Sequence, residues 1–248
     1  NPWLGVLGGA AAGALIGLLH AFMCIKVKAN QTVIGTGINI MAMGVTPLIL
    51  QTLYGNPGST PSVPPLGSVS IPIIKDIPVI GKIIGTHNPL TYLALLLVPI
   101  TTYFLYRMKT GLRIRAVGEH PLAADTLGVN VFGIKYGCVV FSGILSGIAG
   151  AYLSLSQVAM FVKGMTNGRG FMAMAAMIFG NWTPVGVFKG SMLFGFADSL
   201  QMQIQVAGWP IPTDFLLSLP YILTIITLAG FVGKAVGPKS VGKPYTKQ

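Results

Sequence analysis

Uncharged apolar runs dominate the chain, interrupted by small groups of basic residues and by stretches rich in Pro and Gly. Crossing about 30 Å of hydrocarbon at 1.5 Å per helical residue takes roughly 20 apolar residues. Runs near that length lie at 3–24, 31–53, 90–106, 137–160, 184–205 and 214–232, and each predicts a membrane-spanning helix. The run 170–181 is shorter. It follows Gly164, Gly168 and Gly170 and stops at Asn181-Trp182-Thr183-Pro184, which predicts half of a broken helix beside a cavity. The fold class expected is all-α: a polytopic transmembrane helical bundle with a broken or short helix, forming one domain over 1–248.

Composition removes the soluble alternative. Only 8% of residues are charged and 52% are hydrophobic, against about 25% charged in an ordinary soluble domain. No segment has the charge to coat a water-soluble domain of its own. Cys24 and Cys138 sit in apolar surroundings without metal or redox spacing, so inert packing is expected of both.

The 16 Lys and Arg against 5 Asp and Glu give a net charge of +11, and their positions orient the spans. Lys26 and Lys28 place the first loop in the cytoplasm. Arg107, Lys109, Arg113, Arg115 and Lys135 place loop 107–136 there, and Lys234, Lys239, Lys243 and Lys247 do the same for the tail 233–248. The three assignments agree only if 161–181 crosses the membrane once, partly as loop and partly as short helix. Segment 54–89 then lies outside, and Pro57, Pro61, Pro64, Pro65, Pro72, Pro78 and Pro89 oppose a long helix in it. The basic residues border spans rather than alternate with aromatics on a soluble face, so the partner they imply is membrane lipid and no nucleic acid. The chain opens at Asn1 with no Met and no cleavable signal pattern, and it is expected to be a piece of a longer polypeptide.

Glycine and buried polarity come next. Gly5, Gly9, Gly13 and Gly17 share one helix face, and Gly143, Gly147 and Gly150 repeat the pattern in a later span, which predicts close backbone packing. Asp198 places a carboxylate within a span, with Gln201 and Gln205 on the same face; Asn39 is mid-span, and Asn167, Arg169 and Asn181 bracket the short helix. Polar groups at such depth are costly and should face protein or water. They line an aqueous path suited to a neutral hydroxylated or heterocyclic solute, or they serve as hydrogen bonds between helices; both readings stay open. His20, His87 and His120 are far apart, so no metal site is expected, and the absence of a phosphate loop or nucleophile elbow leaves an enzyme reading without residues.

The loop Gly111-Leu-Arg-Ile-Arg-Ala-Val-Gly-Glu-His-Pro-Leu-Ala-Ala-Asp-Thr-Leu-Gly-Val129 has a shape of its own. Pro121 suits a first helical turn, Glu119 suits the positive end of the helix dipole, and Gly128 can end the helix in the left-handed region. A two-turn helix results, exposing Leu122 and Leu127 among Arg113, Arg115 and Asp125. An apolar centre with a polar rim describes a protein interface; a helix lying on lipid headgroups is the alternative.

Ala123-Ala124-x3-Gly128 resembles the coupling-helix signature of the permease subunits of ATP-binding-cassette importers, with Leu122 where a Glu normally precedes the alanines. The sequence resembles the branch of ribose, branched-chain amino-acid and nucleoside permeases, and longer stretches resemble its nucleoside-type members in order and spacing: Arg115 to Asp125, Ser142 to Gly150, Gly168 to Ala173, Ile178 to Pro184 and Leu193 to Asp198. Asn1 to Asn39 is similar to the early spans of the nucleoside-type members, about two N-terminal segments of the usual permease being absent. The resemblance implies a cell-membrane importer half, not an enzyme, with no cofactor in this chain. ATP and Mg are expected in a partner ATPase. A second permease subunit, as a heterodimer, and an external substrate-binding lipoprotein are the other implied partners. It assigns ATPase docking to Arg115, Glu119, Leu122, Ala123, Ala124, Asp125 and Gly128. The solute path, Asn39, Asn167, Arg169, Asn181 and Asp198, rests on polarity and position. A purine or pyrimidine nucleoside is the expected solute, simple sugars come next, and a self-sufficient secondary transporter or channel is the competing class.

Overall fold

The computed structural model describes residues 1–70, 85–208, 212, 215, 218, 222 and 236–246. The run 214–232, apart from three isolated positions, lies outside them, as do Pro72, Pro78, Lys234 and Lys247. Helix α1, Pro2–Ala21, starts where Asn1 caps it, its Oδ1 accepting from the Trp3 N–H at 3.3 Å, and it runs on through a π turn, Phe22–Lys26. Helix α2, Gln31–Tyr54, is capped by Asn30 and ends at Gly55, whose φ of 68° is left-handed. Then come α3 Pro89–Arg107, α4 Lys109–Glu119, α5 Pro121–Thr126, α6 Val131–Tyr152 with a π turn Leu153–Gln157, α7 Arg169–Phe179 and α8 Pro184–Val206. Two short antiparallel strands, β1 Val69–Ser70 and β2 Thr86–His87, pair Val69 with His87 and Ser70 with Thr86.

Among the described residues, four helical stretches are long and apolar enough to cross a membrane: Pro2–Lys26, Gln31–Tyr54, Pro89–Arg107 and Val131–Gln157. The all-α membrane bundle is therefore the observed class. Pro47 in α2 and Pro99 in α3 each remove one backbone donor, so the Met43 and Leu95 carbonyls lack their helical partner, a defect that membrane helices tolerate. Thr101 donates to the Leu97 carbonyl and Thr102 to that of Val98, at 2.6 and 2.7 Å. Helix α8 is long enough but is not among the four, because Lys189, Asp198, Gln201, Gln203 and Gln205 dilute its apolar content. Helix α6 begins at Val131, not at 137, because Asn130 caps it there, accepting from the Gly133 N–H at 2.9 Å. Asn130→Ala is expected to cost about 1 kcal/mol, seen as a lower unfolding temperature of the purified protein in detergent.

The chain forms two compact units. One comprises Asn1–Leu96, Arg113–Asn167 and Ser240–Gln248; the other comprises Leu97–Leu112 and Gly168–Lys239. In the first, α1 and α6 pack antiparallel through glycine. The Gly13 face meets the Gly143 backbone, and a Cβ built at Gly9 would lie 2.9 Å from the Gly147 carbonyl oxygen. Gly150 is off this seam and faces open space. At one end of the pair Val6, Leu66, Leu90 and Ala151 form a small core.

Beside that core the segment after α2 is tied to the chain leaving α6. Leu66 N donates to Leu155 O at 3.1 Å, Val63 N to Ala159 O at 2.8 Å, and Lys163 N to Gly58 O at 2.8 Å. Asn88 joins this segment to the start of α3, donating to Leu66 O and accepting from Leu90 N, both at 3.0 Å. So the part of 54–89 that is described is built structure, as its prolines allow, with its backbone groups paired across to 155–163.

Candidate functional site: coupling helix and helical groove

His120 separates α4 from α5. It precedes Pro121, whose ring pushes the preceding residue out of the helical region, and its φ of −142° and ψ of 80° break the helix there. Pro121 then opens α5, and Gly128, at φ 77°, ends the turn. Gly128 N donates to Asp125 O at 2.9 Å and Val129 N to Ala124 O at 3.1 Å. Glu119 is the last residue of α4 and does not sit at the positive end of α5. The break falls one residue later than that placement required, because the constraint acts on His120.

On α5 the docking candidates separate by direction. Leu122 is 45% exposed and Leu127 83% exposed. Ala123, Gly128, Glu119 and Arg115 are exposed too, and Asp125 is half-buried. Ala124 is only 3% exposed and packs inward with Val117, Val131 and Tyr245. It therefore seats the helix on its own chain and is not available to touch a partner. Burial first, and then the nearby Asp125 carboxylate, push the Tyr245 phenol up.

In the second unit α7 and α8 form a hairpin. Gly180 and Gly186 let the two backbones touch at the turn, and Asn181 and Trp182 reverse the chain at φ 50° and 58°. Thr183 caps α8, its hydroxyl accepting from the Gly186 N–H at 3.2 Å and donating to the Gly180 carbonyl at 2.8 Å. Further along, Gly190 faces the Ala176 backbone, and the rings of Phe179 and Phe194 lie 5.7 Å apart. At the open end Arg169 reaches Asp198 at 3.4 Å.

Between the helices lies a groove of about 190 Å³, its floor formed by Met172, Ala176 and Phe194 and its polar edge by Arg169, Ser191 and Asp198. The ion pair is half-exposed, at 36% and 35%. In water such a pair contributes at most about 1 kcal/mol, but an unpaired charge at the middle of a bilayer costs about 2.5–3.5 kcal/mol. The pair therefore adds little to the hold of α7 on α8 and serves instead to balance two opposite charges at the rim of the groove. The groove offers an apolar wall for a ring and a carboxylate, a guanidinium and a hydroxyl along its rim.

Of the five path candidates, Arg169 and Asp198 are brought together. Asn181 is a turn residue whose side-chain oxygen accepts the Val236 N–H at 3.0 Å. Asn167, at φ 38°, is an exposed loop residue, and Asn39 is exposed on α2. Both belong to the first unit. Met172, Ala173, Ala176, Ser191, Phe194 and Gly195 were not among the candidates. Their signal was present: 169, 172, 173, 176 and 191, 194, 195, 198 each repeat the spacing of one helix face, and reading the two faces together required knowing that the helices are antiparallel. Among the described residues no group of His, Cys, Asp and Glu is arranged to hold a metal ion.

Residues 1–228 match the family model described as branched-chain amino acid transport system / permease component. The chain is 42% identical over 250 residues to the guanosine ABC transporter permease protein NupQ of Bacillus subtilis, covering 99% of this chain and 78% of that protein. It is 41% identical over 250 residues to the nucleoside ABC transporter permease protein NupC of Lactococcus lactis, covering 100% and 78%. A putative glucose ABC transporter permease of Haloferax volcanii is 39% identical over 209 residues, covering 83% and 62%. No solved structure matches the chain. Coverage at this level joins the apolar helices, the exposed turn of α5 and the α7–α8 groove to one class of molecule: the chain belongs to the permease family of ABC importers, integral membrane transport subunits rather than catalysts.

Proposed function

We propose that this permease imports purine or pyrimidine nucleosides, that α5 receives a cytoplasmic ATPase, and that the α7–α8 groove contacts the solute on its way through. The observation that carries the coupling reading is the exposure of Leu122 on, and Leu127 just after, a short helix whose inner side is already packed. Apolar side chains gathered with Glu119 and Arg115 around them have the composition of an interface centre and rim. ATP and Mg belong to the ATPase, a sister permease completes the membrane domain, and an external lipoprotein delivers solute. Binding of ATP by one partner and of solute by the other favours different states of one cavity.

The solute assignment is supported by the two nucleoside-permease relatives and by the groove, whose Phe194 and Met172 suit the face of a base and whose Asp198 suits ring N–H or ribose hydroxyl donors. Proteoliposomes holding this chain with its ATPase, sister permease and receptor should accumulate labelled guanosine or uridine, and not glucose, on addition of ATP. Asp198→Leu is expected to lower that uptake at least about tenfold with protein level in the membrane unchanged, since it removes the acceptor on the groove's polar rim. Unchanged uptake in this variant would remove the groove from the solute path. Preferential glucose uptake would replace the substrate assignment, and uptake against a gradient by this chain alone would replace the class.

A further inference from the structure

A six-residue helix has no means of holding its own position. Isolated helices shorter than about 12–15 residues are marginal in water, and α5 is Pro121–Thr126, with no side-chain hydrogen bond from its N-cap residue His120. What holds it comes from far along the chain. Tyr245 is 5% exposed, packed with Val117 of α4, Ala124 of α5 and Val131 of α6. Its ring meets Phe132 edge-on at 5.2 Å, and the Lys135 ammonium lies 5.7 Å over its face. Lys135 also donates to the Lys243 carbonyl at 3.4 Å. The Ser240 N–H donates to the Gly118 carbonyl at 3.1 Å, and the Ser240 hydroxyl bonds the same carbonyl and, at 3.4 Å, that of Val117. Those carbonyls are at the end of α4, where the helix itself supplies no donor.

We propose that Ser240–Tyr245 is a strap that sets the position of the coupling helix, with Tyr245 as its positioning residue. The inference rests on the reading of α5 as the ATPase-docking element. The strap closes the end of α4 with backbone and hydroxyl hydrogen bonds, and it fills the corner among α4, α5 and α6 with one aromatic ring. A helix that passes movement between a partner and the spans must yield less than the elements on either side of it. Ala124 presents only a methyl group to the interior, so the ring of Tyr245 supplies the bulk against which α5 rests. Without it, α5 gives way under load and nucleotide hydrolysis continues without proportionate transport.

The test uses the full importer in proteoliposomes, with labelled guanosine as probe, and compares Tyr245→Ala, Tyr245→Phe and Leu127→Glu. The reading is the ratio of guanosine taken up to phosphate released. Tyr245→Ala is expected to lower that ratio about tenfold with the ATPase still bound, and Tyr245→Phe to keep it within about twofold, because the ring is retained. A wild-type ratio in Tyr245→Ala overturns the strap. Leu127→Glu with full ATPase association overturns docking at α5 instead, so the two failures are distinct. If Tyr245→Ala does not assemble, amide exchange on the purified full chain decides the matter. Exchange at Ala124 and Val129, whose N–H groups are bonded to the His120 and Ala124 carbonyls, should rise about tenfold over Tyr245→Phe while that of α1 and α2 is unchanged. No local rise, or a rise throughout the chain, counts against the strap.

Discussion

Leu127→Glu is expected to reduce ATPase association at least about thirtyfold and to abolish ATP-driven uptake, with the permease still inserted in the membrane. Leu127 follows the last residue of α5, is 83% exposed and is separate from the core formed by Val117, Ala124, Val131 and Tyr245. A buried apolar anchor at the centre of an interface is worth about 2 kcal/mol or more, which is the thirtyfold, and a carboxylate forced into the same dry contact adds a desolvation cost. Co-purification of the ATPase with the variant and uptake in proteoliposomes read both effects. Undiminished association would show that the partner docks elsewhere. Ala124→Leu should behave differently: the extra bulk has to enter the chain's own core, so the variant should lose thermal stability before it loses partner contact.

Gly143→Val is expected to destabilise the protein by about 3 kcal/mol, at the upper end of the usual range for overpacking. A Cβ at Gly143 would meet the Gly13 backbone, and one at Gly13 would meet Gly143. The obstacle in each case is a carbonyl and not a flexible side chain, so no rotamer change relieves it. Separating the helices there also opens the contacts one turn away, where Gly9 meets Gly147 and Gly17 meets the Val139 carbonyl. Association in lipid depends on such close packing, since the hydrocarbon removes the hydrophobic drive. Heat unfolding in detergent measures the loss. Gly150→Ala is the control: it faces open space within a helix and should be neutral or slightly stabilising. Equal losses in the two variants would rule out the seam as the cause.

These two cases also mark how far residue patterns could be read. The glycine face of α1 was legible because a four-residue repeat on an apolar helix has few other uses, and Gly143 with Gly147 was its visible complement. That Gly150 stands outside the seam was not legible, since spacing does not say where two helices diverge. The turn of α5 was legible through Pro121 and Gly128, each of which restricts the backbone locally. The inward side of Ala124 was hidden, because the residue that covers it, Tyr245, is more than a hundred positions later.

In the same way Arg169 and Asp198 stood out as charges in apolar surroundings, but the groove they share needed the α7–α8 turn. Gly180, Gly186 and Thr183 build that turn by close backbone approach. Asn181 stood out by its polarity next to a short helix, and the acceptor role of its side-chain oxygen toward the Val236 N–H was visible only in the folded chain.

By itself the sequence determined the solvent of this protein and the presence of an exposed turn at 121–128, because hydrophobic length, proline and glycine act within a few residues of themselves. Which faces of the helices are covered was decided only by the tertiary structure. Coverage depends on partners distant in the chain, as Gly13 on Gly143, Asp198 on Arg169 and Ala124 on Tyr245, and close packing selects among faces that look alike along a single helix.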